Sequence, residues 1–159
     1  IREMARTKGP ETLVGAGTVL DAATAAAVIE AGADFVVSPV FDRDTVAACR
    51  AAGVVVAPGA FTPTEIVAAW RAGADLVKVF PATSLGPQFV RDLRGPLPEV
   101  RLMPTGGVTV ENARDFLAAG AACVGLGTAL VDAGAVEAGD WAAIEARARR
   151  LVDSLGGLS

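Results

Sequence analysis

Lysine is scarce in this sequence, and one of its two copies stands where a lysine can act as a nucleophile. The chain has 159 residues, of which 14 are basic, but only Lys8 and Lys78 are lysines. Lys78 interrupts the apolar run Leu76–Phe80. Burial disfavours a charged amine and lowers its pKa from about 10.4, and a neutral amine attacks keto groups to form imines. Lys78 is therefore a candidate nucleophile; the alternative is an ammonium group that reaches water at the strand end.

Two glycine-rich segments are candidates for phosphate binding. One reads PTGGV at 104–108 and the other reads GLGT at 125–128. Backbone N–H groups exposed by glycine ahead of a helix can hold a phosphate group. The alternative is that the glycines only permit tight turns. The candidate residues in these segments are Thr105, Gly106, Gly107, Gly127 and Thr128.

A third glycine-containing segment, GAGT at 15–18, offers a hydroxyl. It lacks the third glycine of a dinucleotide-binding fingerprint, so that function is rejected. Thr18 is a candidate to bind a carboxylate, although a plain turn is an equal alternative. Pro39 follows the next apolar run and is expected to shape the rim of a substrate site.

Other residue types with catalytic potential point to structural roles. The chain has no histidine, which excludes Ser-His catalysis, Cys-His catalysis and histidine-bound zinc within it. Glu65 completes a capping box that begins at Thr62. Four aspartates are expected at helix starts or strand entrances: Asp21, Asp42, Asp34 and Asp75. The sequence thus offers no obvious general acid or base.

A repeated unit positions these candidates along the chain. Segments such as EAGADFVVSP at 30–39 and RAGADLVKVFP at 71–81 pass from an alanine-rich helix through glycine into a short β-branched run. This pattern predicts helices that stop at glycine and strands buried on both faces. The predicted strands are 13–18, 35–38, 54–57, 76–80, 100–104 and 122–126. The predicted helices are 21–31, 42–52, 63–72, 86–94, 110–119 and 140–155.

Regular alternation of strand and helix predicts an α/β fold with parallel strands. The unit repeats without a topological break, which favours a (β/α)8 TIM barrel over a doubly wound sheet. Because six strands are found where a barrel needs eight, we expect about two N-terminal β/α units to be missing. Residues 1–159 would then be a single domain holding strands three to eight. The glycine segments would follow strands seven and eight, where such barrels usually bind phosphate.

Net charge and hydrophobic patterning argue against nucleic acid and membrane as partners. The net charge is −4 and no basic run is present, so nucleic acid is not expected. No apolar stretch approaches the roughly 20 residues that span a bilayer, and a secretory signal peptide is not expected. Cys49 and Cys123 form no CxxC pair and are expected to be reduced thiols of a cytoplasmic protein.

Taken together, the motifs resemble one known family. In chain order they are GAGTVL from Gly15, VSP at 37–39, APG at 57–59, LVKVFPA at 76–82, RLMPTGGV at 101–108 and GLGTAL at 125–130. These segments resemble the 2-keto-3-deoxy-6-phosphogluconate (KDPG) aldolase / 4-hydroxy-2-oxoglutarate aldolase family from about Met4 to Val131. The combination of LVKVFPA and PTGG at this spacing is specific to that family rather than generic to barrels.

The resemblance implies a class I aldolase, a lyase that uses no metal and no cofactor and is usually a homotrimer. Its substrate would be 2-dehydro-3-deoxy-6-phosphogluconate, cleaved to pyruvate and glyceraldehyde 3-phosphate. By motif position, Lys78 matches the Schiff-base lysine, Thr18 the carboxylate-binding threonine and Phe80 the phenylalanine of the pocket. Gly106 and Gly107 match phosphate-loop glycines, and Thr128 stands where the family often has serine. The family's proton-transferring glutamate and a helping arginine would precede Ile1.

Several alternatives stay open at this point. The segment 84–88 also resembles the 2-dehydro-3-deoxy-6-phosphogalactonate aldolases, and many relatives cleave 4-hydroxy-2-oxoglutarate, which has no phosphate. An inactive barrel fragment or assembly scaffold is a second class. A phosphate-binding isomerase or epimerase is a third, although it would need an acid–base residue that the sequence does not offer.

Overall fold

A computed structural model describes residues 1–156 of the chain, which alternate between helices and parallel strands. These residues form two compact units, of which the first comprises Ile1–Val79 and the second begins at Phe80. The predicted α/β class is therefore confirmed. No helix within residues 1–156 is long and apolar enough to cross a membrane.

The first unit contains four helices and five short strands. In chain order they are α1 (Arg2–Thr7), β1 (Gly15–Ala16), α2 (Ala22–Glu30), β2 (Phe35–Val37), α3 (Arg43–Ala51), β3 (Val55–Ala57), β4 (Gly59–Ala60), α4 (Pro63–Arg71) and β5 (Val77–Val79). β2 pairs in parallel with β1 on one side and β3 on the other. β4 pairs in parallel with β5, with Gly59 opposite Lys78. β1, β2, β3 and β5 lie within predicted strands. β4, which Pro58 separates from β3, was not predicted.

Short polar side chains fix the helix starts of the first unit. Asp21 and Asp42 cap α2 and α3 by accepting hydrogen bonds from the backbone N–H groups of Thr24 and Thr45, each at 2.7 Å. Thr62 and Glu65 form the predicted capping box of α4. These bonds satisfy N–H groups that a helix start leaves without partners. The helices then bury a core made of Ala16, Val19, Ala25, Ala33, Val36, Val46, Cys49 and Val56.

The second unit has more helix than strand. After a 3-10 turn at Ala82–Ser84 come α5 (Gly86–Arg94), β6 (Leu102–Pro104), α6 (Ala113–Ala118), α7 (Ala133–Glu137) and α8 (Trp141–Leu155). Its buried apolar residues include Val90, Leu93, Val100, Leu102, Val108 and Phe116. The predictions for 86–94 and 140–155 agree with α5 and α8, whereas α7 was not predicted.

Two predictions for the second unit are wrong in detail. The segment 122–126 is not a strand, because it meets its neighbour at only one isolated bridge, between Thr105 and Gly125. Its two hydrogen bonds to the β6 region, from Ala122 and Gly125, are three residues apart and build no continuous ladder. The helix predicted at 110–119 begins only at Ala113, since the polar residues before it form a side-chain-stabilised turn.

Candidate active site

Lys78 lies in the middle of β5 and is 9% exposed, between the fully buried Val77 and Val79. Its backbone N–H donates to the carbonyl of Pro58 at 2.9 Å, which anchors the residue beside the start of β4. Burial lowers the pKa of the Lys78 ammonium below its ordinary value. A buried amine with a lowered pKa is what imine chemistry requires.

The other lysine has a different environment. The ammonium of Lys8 pairs with the carboxylate of Asp34. Asp34 also accepts a hydrogen bond from the backbone N–H of Val14 at 2.7 Å. The Lys8 hydrogen bond is the largest cause of the lowered pKa of Asp34. The carboxylate therefore has a structural role at a strand entrance, as predicted.

Thr18 has an unusual backbone conformation for its residue type. Its φ is 59°, which makes it the one non-glycine residue with positive φ among residues 1–156. This region is costly for a β-branched side chain and is often retained where function requires it. The side chain is exposed, and an added Cβ at the preceding Gly17 would meet no protein atom within 4 Å. Thr18 is thus an exposed residue next to a glycine with open space beside it.

Pro39 and Gly59 approach each other too closely for any side chain at position 59. A Cβ on Gly59 would lie 2.1 Å from the Pro39 carbonyl oxygen. Gly59 is also the residue paired with Lys78 across β4 and β5. Pro39 is therefore placed one strand away from the lysine within the first unit, and the glycine makes that spacing possible.

The second unit contains a cavity of about 600 Å3. We call it the glycine pocket. Its lining residues are Phe80, Thr105, Gly106, Gly107, Val108, Thr109, Gly127, Thr128, Ala129 and Asp132. The structure thus brings together six residues that the sequence had singled out in separate segments. Phe80 joins them although it is only two residues from Lys78 in the chain.

Backbone conformation at Gly106 and Gly107 shapes one wall of the pocket. Their φ values are +80° and +77°, which side chains rarely tolerate. A Cβ on Gly107 would also lie 2.7 Å from the Cα of Thr83. Both glycines are therefore required by the turn itself. The alternative that they only permit a tight turn is compatible with this geometry, and phosphate binding needs support from elsewhere.

Gly127 gives that support. Its φ is not in the left-handed region, and an added Cβ there would meet no protein atom within 4 Å. Neither backbone strain nor packing therefore requires glycine at this position. A glycine on a cavity wall without a conformational reason leaves room for a bound group and access to its own N–H.

Asn112 is a residue that sequence reasoning missed. Its side-chain N–H donates to the carbonyl of Gly107 at 3.0 Å, and its side-chain oxygen accepts from the N–H of Thr109 at 2.8 Å. These two bonds hold the PTGGV loop. They also occupy the Thr109 N–H, which is therefore unavailable to a ligand. The signal in the sequence was the Thr109–Asn112 spacing, which is typical of side-chain-capped turns.

Asp132 is the second missed residue and brings a charge to the glycine pocket. It caps α7 by accepting a hydrogen bond from the Ala135 N–H at 2.9 Å. One of its carboxylate oxygens lies 3.8 Å from the Arg147 guanidinium. In the sequence, Asp132 precedes an alanine-rich segment, as a helix cap typically does. This local pattern does not indicate that the residue lines a cavity.

The cysteines and the remaining acidic residues form no metal-binding group among the described residues. Both cysteines, Cys49 and Cys123, are free thiols whose pKa burial raises. Within residues 1–156, no cluster of three or more histidine, cysteine, aspartate or glutamate side chains could hold a metal ion. Asp75, expected at a strand entrance, accepts a hydrogen bond from the Val56 N–H at 3.0 Å.

Comparison with known proteins places this geometry in a family. The family model described as "Aldolase: KDPG and KHG aldolase" matches residues 1–147. The 2-dehydro-3-deoxy-phosphogluconate aldolase of Pseudomonas aeruginosa is 40% identical over 146 residues, which cover 91% of this chain and 66% of that protein. The 2-dehydro-3-deoxy-6-phosphogalactonate aldolase of Escherichia coli is 37% identical over 127 residues, covering 79% and 62% of the two chains.

A solved structure agrees. The KDPG aldolase of Legionella pneumophila, with pyruvate captured as a covalent carbinolamine intermediate, superposes with a TM-score of 0.82 at 30% identity. The match covers 90% of this chain and 69% of that one. The present chain spans just under two thirds of the length of the two relatives named above. It belongs to the KDPG and KHG aldolase family.

Proposed function

We propose that this protein is a class I aldolase that cleaves 2-dehydro-3-deoxy-6-phosphogluconate into pyruvate and glyceraldehyde 3-phosphate. The observation that carries the proposal is Lys78, which is buried in β5 with a lowered pKa. Family membership supports the same assignment, since the family model matches residues 1–147.

In the proposed reaction the lone pair of the Lys78 amine adds to the C2 carbonyl, and the resulting carbinolamine loses water to give a protonated imine. The electrons of the C3–C4 bond then move into the imine and form an enamine. The C4 hydroxyl gives its proton to a base as C4 becomes the aldehyde, and the protonated base is the proton source for the next step. Protonation of the enamine at C3 and hydrolysis release pyruvate and restore Lys78. The imine acts as the electron sink throughout, so no metal or cofactor is part of the proposal.

We assign the substrate contacts from the positions of the family's motifs in the sequence. Thr18 would bind the pyruvate carboxylate, with Pro39 at the rim and Phe80 and Thr105 beside the carbon chain. The phosphate would bind N–H groups of Gly106, Gly107 and Gly127 and the hydroxyl of Thr128. The phosphate contacts are supported by the glycine pocket, because Gly106, Gly107, Gly127 and Thr128 all line it.

A second substrate is supported by a specific similarity. The phosphogalactonate aldolase of Escherichia coli is nearly as similar to this chain as the phosphogluconate enzyme. Cleavage of 2-dehydro-3-deoxy-6-phosphogalactonate is therefore the alternative activity, and cleavage of 4-hydroxy-2-oxoglutarate is a side activity in this proposal. Initial rates with the three substrates would rank them.

The finer features of the architecture are also proposals. We assign the chain's β/α units to units three to eight of a (β/α)8 barrel, which the chain's share of the relatives' length supports. In this assignment β3 and β4 are two parts of one barrel strand, and the segment 122–126 takes the place of the eighth strand. The family resemblance further supports a homotrimer in the cytoplasm. Size measurement by light scattering would test the trimer.

The deciding experiment is intact mass spectrometry after incubation with pyruvate and sodium borohydride. We expect a reduced pyruvyl adduct, and peptide mapping should place it on Lys78. Lys78→Met should lose the adduct and Lys8→Met should keep it, because Lys8 is held by Asp34. An isomerase, an epimerase or a scaffold has no reason to form an imine. A folded protein without any adduct would therefore rule out the aldolase proposal.

A further inference from the structure

We propose that Asp132, balanced by Arg147, sets the charge of the glycine pocket and thereby limits how tightly it holds a phosphate group. This inference rests on the proposed function, in which the pocket takes the substrate phosphate. It gives Asp132 a role in selecting the bound anion, and it makes Arg147 a positioning residue that acts through Asp132.

The first support is the composition of the pocket wall. Among the residues that line it, Asp132 carries the one ionisable side chain, and the others are glycines, threonines and apolar residues. A phosphate group in this cavity would therefore meet one nearby full charge on the wall, and that charge is negative. Like charges in a partly enclosed site repel more strongly than they do in water.

The second support is that the carboxylate is held in place. The Ala135 N–H donates to one carboxylate oxygen at 2.9 Å, which is the cap of α7. The side chain is 46% exposed, and the residue lines the pocket. The cap therefore holds the carboxylate at the start of α7, on the wall of the pocket.

The third support is the position of Arg147. Its guanidinium lies 3.8 Å from the second Asp132 oxygen and is 30% exposed, and Arg147 itself does not line the pocket. It extends from α8. The arginine therefore offsets the carboxylate from outside the pocket, which leaves a nearly neutral pair beside a site built from N–H groups and hydroxyls.

A simpler explanation is that Asp132 is only a helix cap. The chain offers a matched control, because Asp140 caps α8 through an equivalent hydrogen bond to the Ala143 N–H at 3.0 Å and does not line the pocket. Asparagine is as good a cap as aspartate. Asp132→Asn and Asp140→Asn therefore make the same chemical change, and only the first changes the charge of the pocket.

The variant Arg147→Met also has a matched control. Arg149 lies on the same helix as Arg147 and pairs with Glu145 at 2.6 Å on the exposed surface. Arg147→Met and Arg149→Met remove the same charge from α8, but only the first exposes Asp132 without its partner.

The experiment is a titration of the full chain and each variant with inorganic phosphate, followed by the amide signals of Gly106, Gly107 and Gly127 in nitrogen-15 NMR. Asp132→Asn should bind phosphate roughly 3- to 10-fold more tightly than the wild type, and Arg147→Met should bind it several-fold more weakly. Asp140→Asn and Arg149→Met should stay within about twofold of the wild type. Added salt should shrink the effects of the first two variants, which a purely structural role would not predict.

The outcomes separate this inference from the proposed function. If the wild type binds phosphate and both Asp132→Asn and Arg147→Met match their controls, the inference is wrong and the phosphate site stands. If Asp132→Asn alone binds phosphate, the inference is supported and the phosphate site of the wild type is not. If neither the wild type nor Asp132→Asn binds phosphate, both the inference and the proposed phosphate site are wrong. A variant that loses its dispersed spectrum is replaced by the other member of the pair, since the two shift affinity in opposite directions.

Discussion

Gly107 lies against Thr83 so closely that a Cβ on the glycine would be 2.7 Å from the Thr83 Cα. The glycine also has a φ of +77°, so alanine there meets both a clash and a strained backbone. Gly127 on the same pocket has neither constraint. The two glycines therefore serve different purposes, although the sequence presents both in similar glycine-rich segments.

We predict that Gly107→Ala lowers the free energy of unfolding by about 1 to 3 kcal/mol, because the loop must move. Gly127→Ala should change it by less than about 0.5 kcal/mol but weaken phosphate binding, since its methyl group enters the pocket. Urea unfolding and phosphate titration of both variants measure these effects. Equal loss of stability in the two variants would contradict the distinction.

Lys78 should destabilise the folded protein near neutral pH. Burial holds its folded pKa below the ordinary value, so the unfolded chain keeps the proton more strongly. Stability contributed by this residue should therefore rise with pH between the lowered pKa and about 10.4. We expect Lys78→Met to raise the free energy of unfolding at pH 7 by about 1 kcal/mol.

Lys8→Met is the matched control, because it removes the ion pair with Asp34. It should lower the free energy of unfolding by up to about 1 kcal/mol. Urea titrations of both variants at pH 7 and pH 9.5 test the pair. The gain in the free energy of unfolding from Lys78→Met should be smaller at pH 9.5 than at pH 7. A larger gain at pH 9.5 would contradict a lowered pKa of Lys78 in the folded protein.

Thr18→Gly should separate stability from binding. Glycine relieves the positive φ of 59° and should stabilise the fold by about 0.5 to 1 kcal/mol. The same change removes the hydroxyl assigned to the pyruvate carboxylate, and the pyruvate concentration needed for half-maximal trapping should rise about tenfold. Thr18→Ser keeps the hydroxyl and should trap pyruvate normally. Normal trapping by the glycine variant would remove Thr18 from the site.

Asn112→Ala should loosen the PTGGV loop. The variant loses the bonds to Gly107 and Thr109, at a cost of about 1 to 2 kcal/mol in stability. Phosphate affinity should fall at the same time because the Gly106 and Gly107 amides are no longer held. Gln88→Ala, which removes surface hydrogen bonds on α5, is the control and should leave phosphate affinity unchanged.

The sequence by itself determined the α/β class, the family and the places of most elements. Local signals were strong enough for this, because Asp21, Asp42 and Thr62 start helices by bonds within three residues. Lys78 was also identifiable as a buried strand residue, since a lone lysine in an apolar run has few other places to lie.

The tertiary structure decided the features that depend on contacts between distant residues. The segment 122–126 has the composition of a strand, yet its pairing partner meets it at one bridge only. Composition also could not distinguish Gly107, which a neighbour requires, from Gly127, which no neighbour requires. Asp132 has the local pattern of an ordinary helix cap. Its place on the glycine pocket beside Arg147 exists only after β6 and α6 to α8 have packed, because pocket walls are built from segments far apart in the chain.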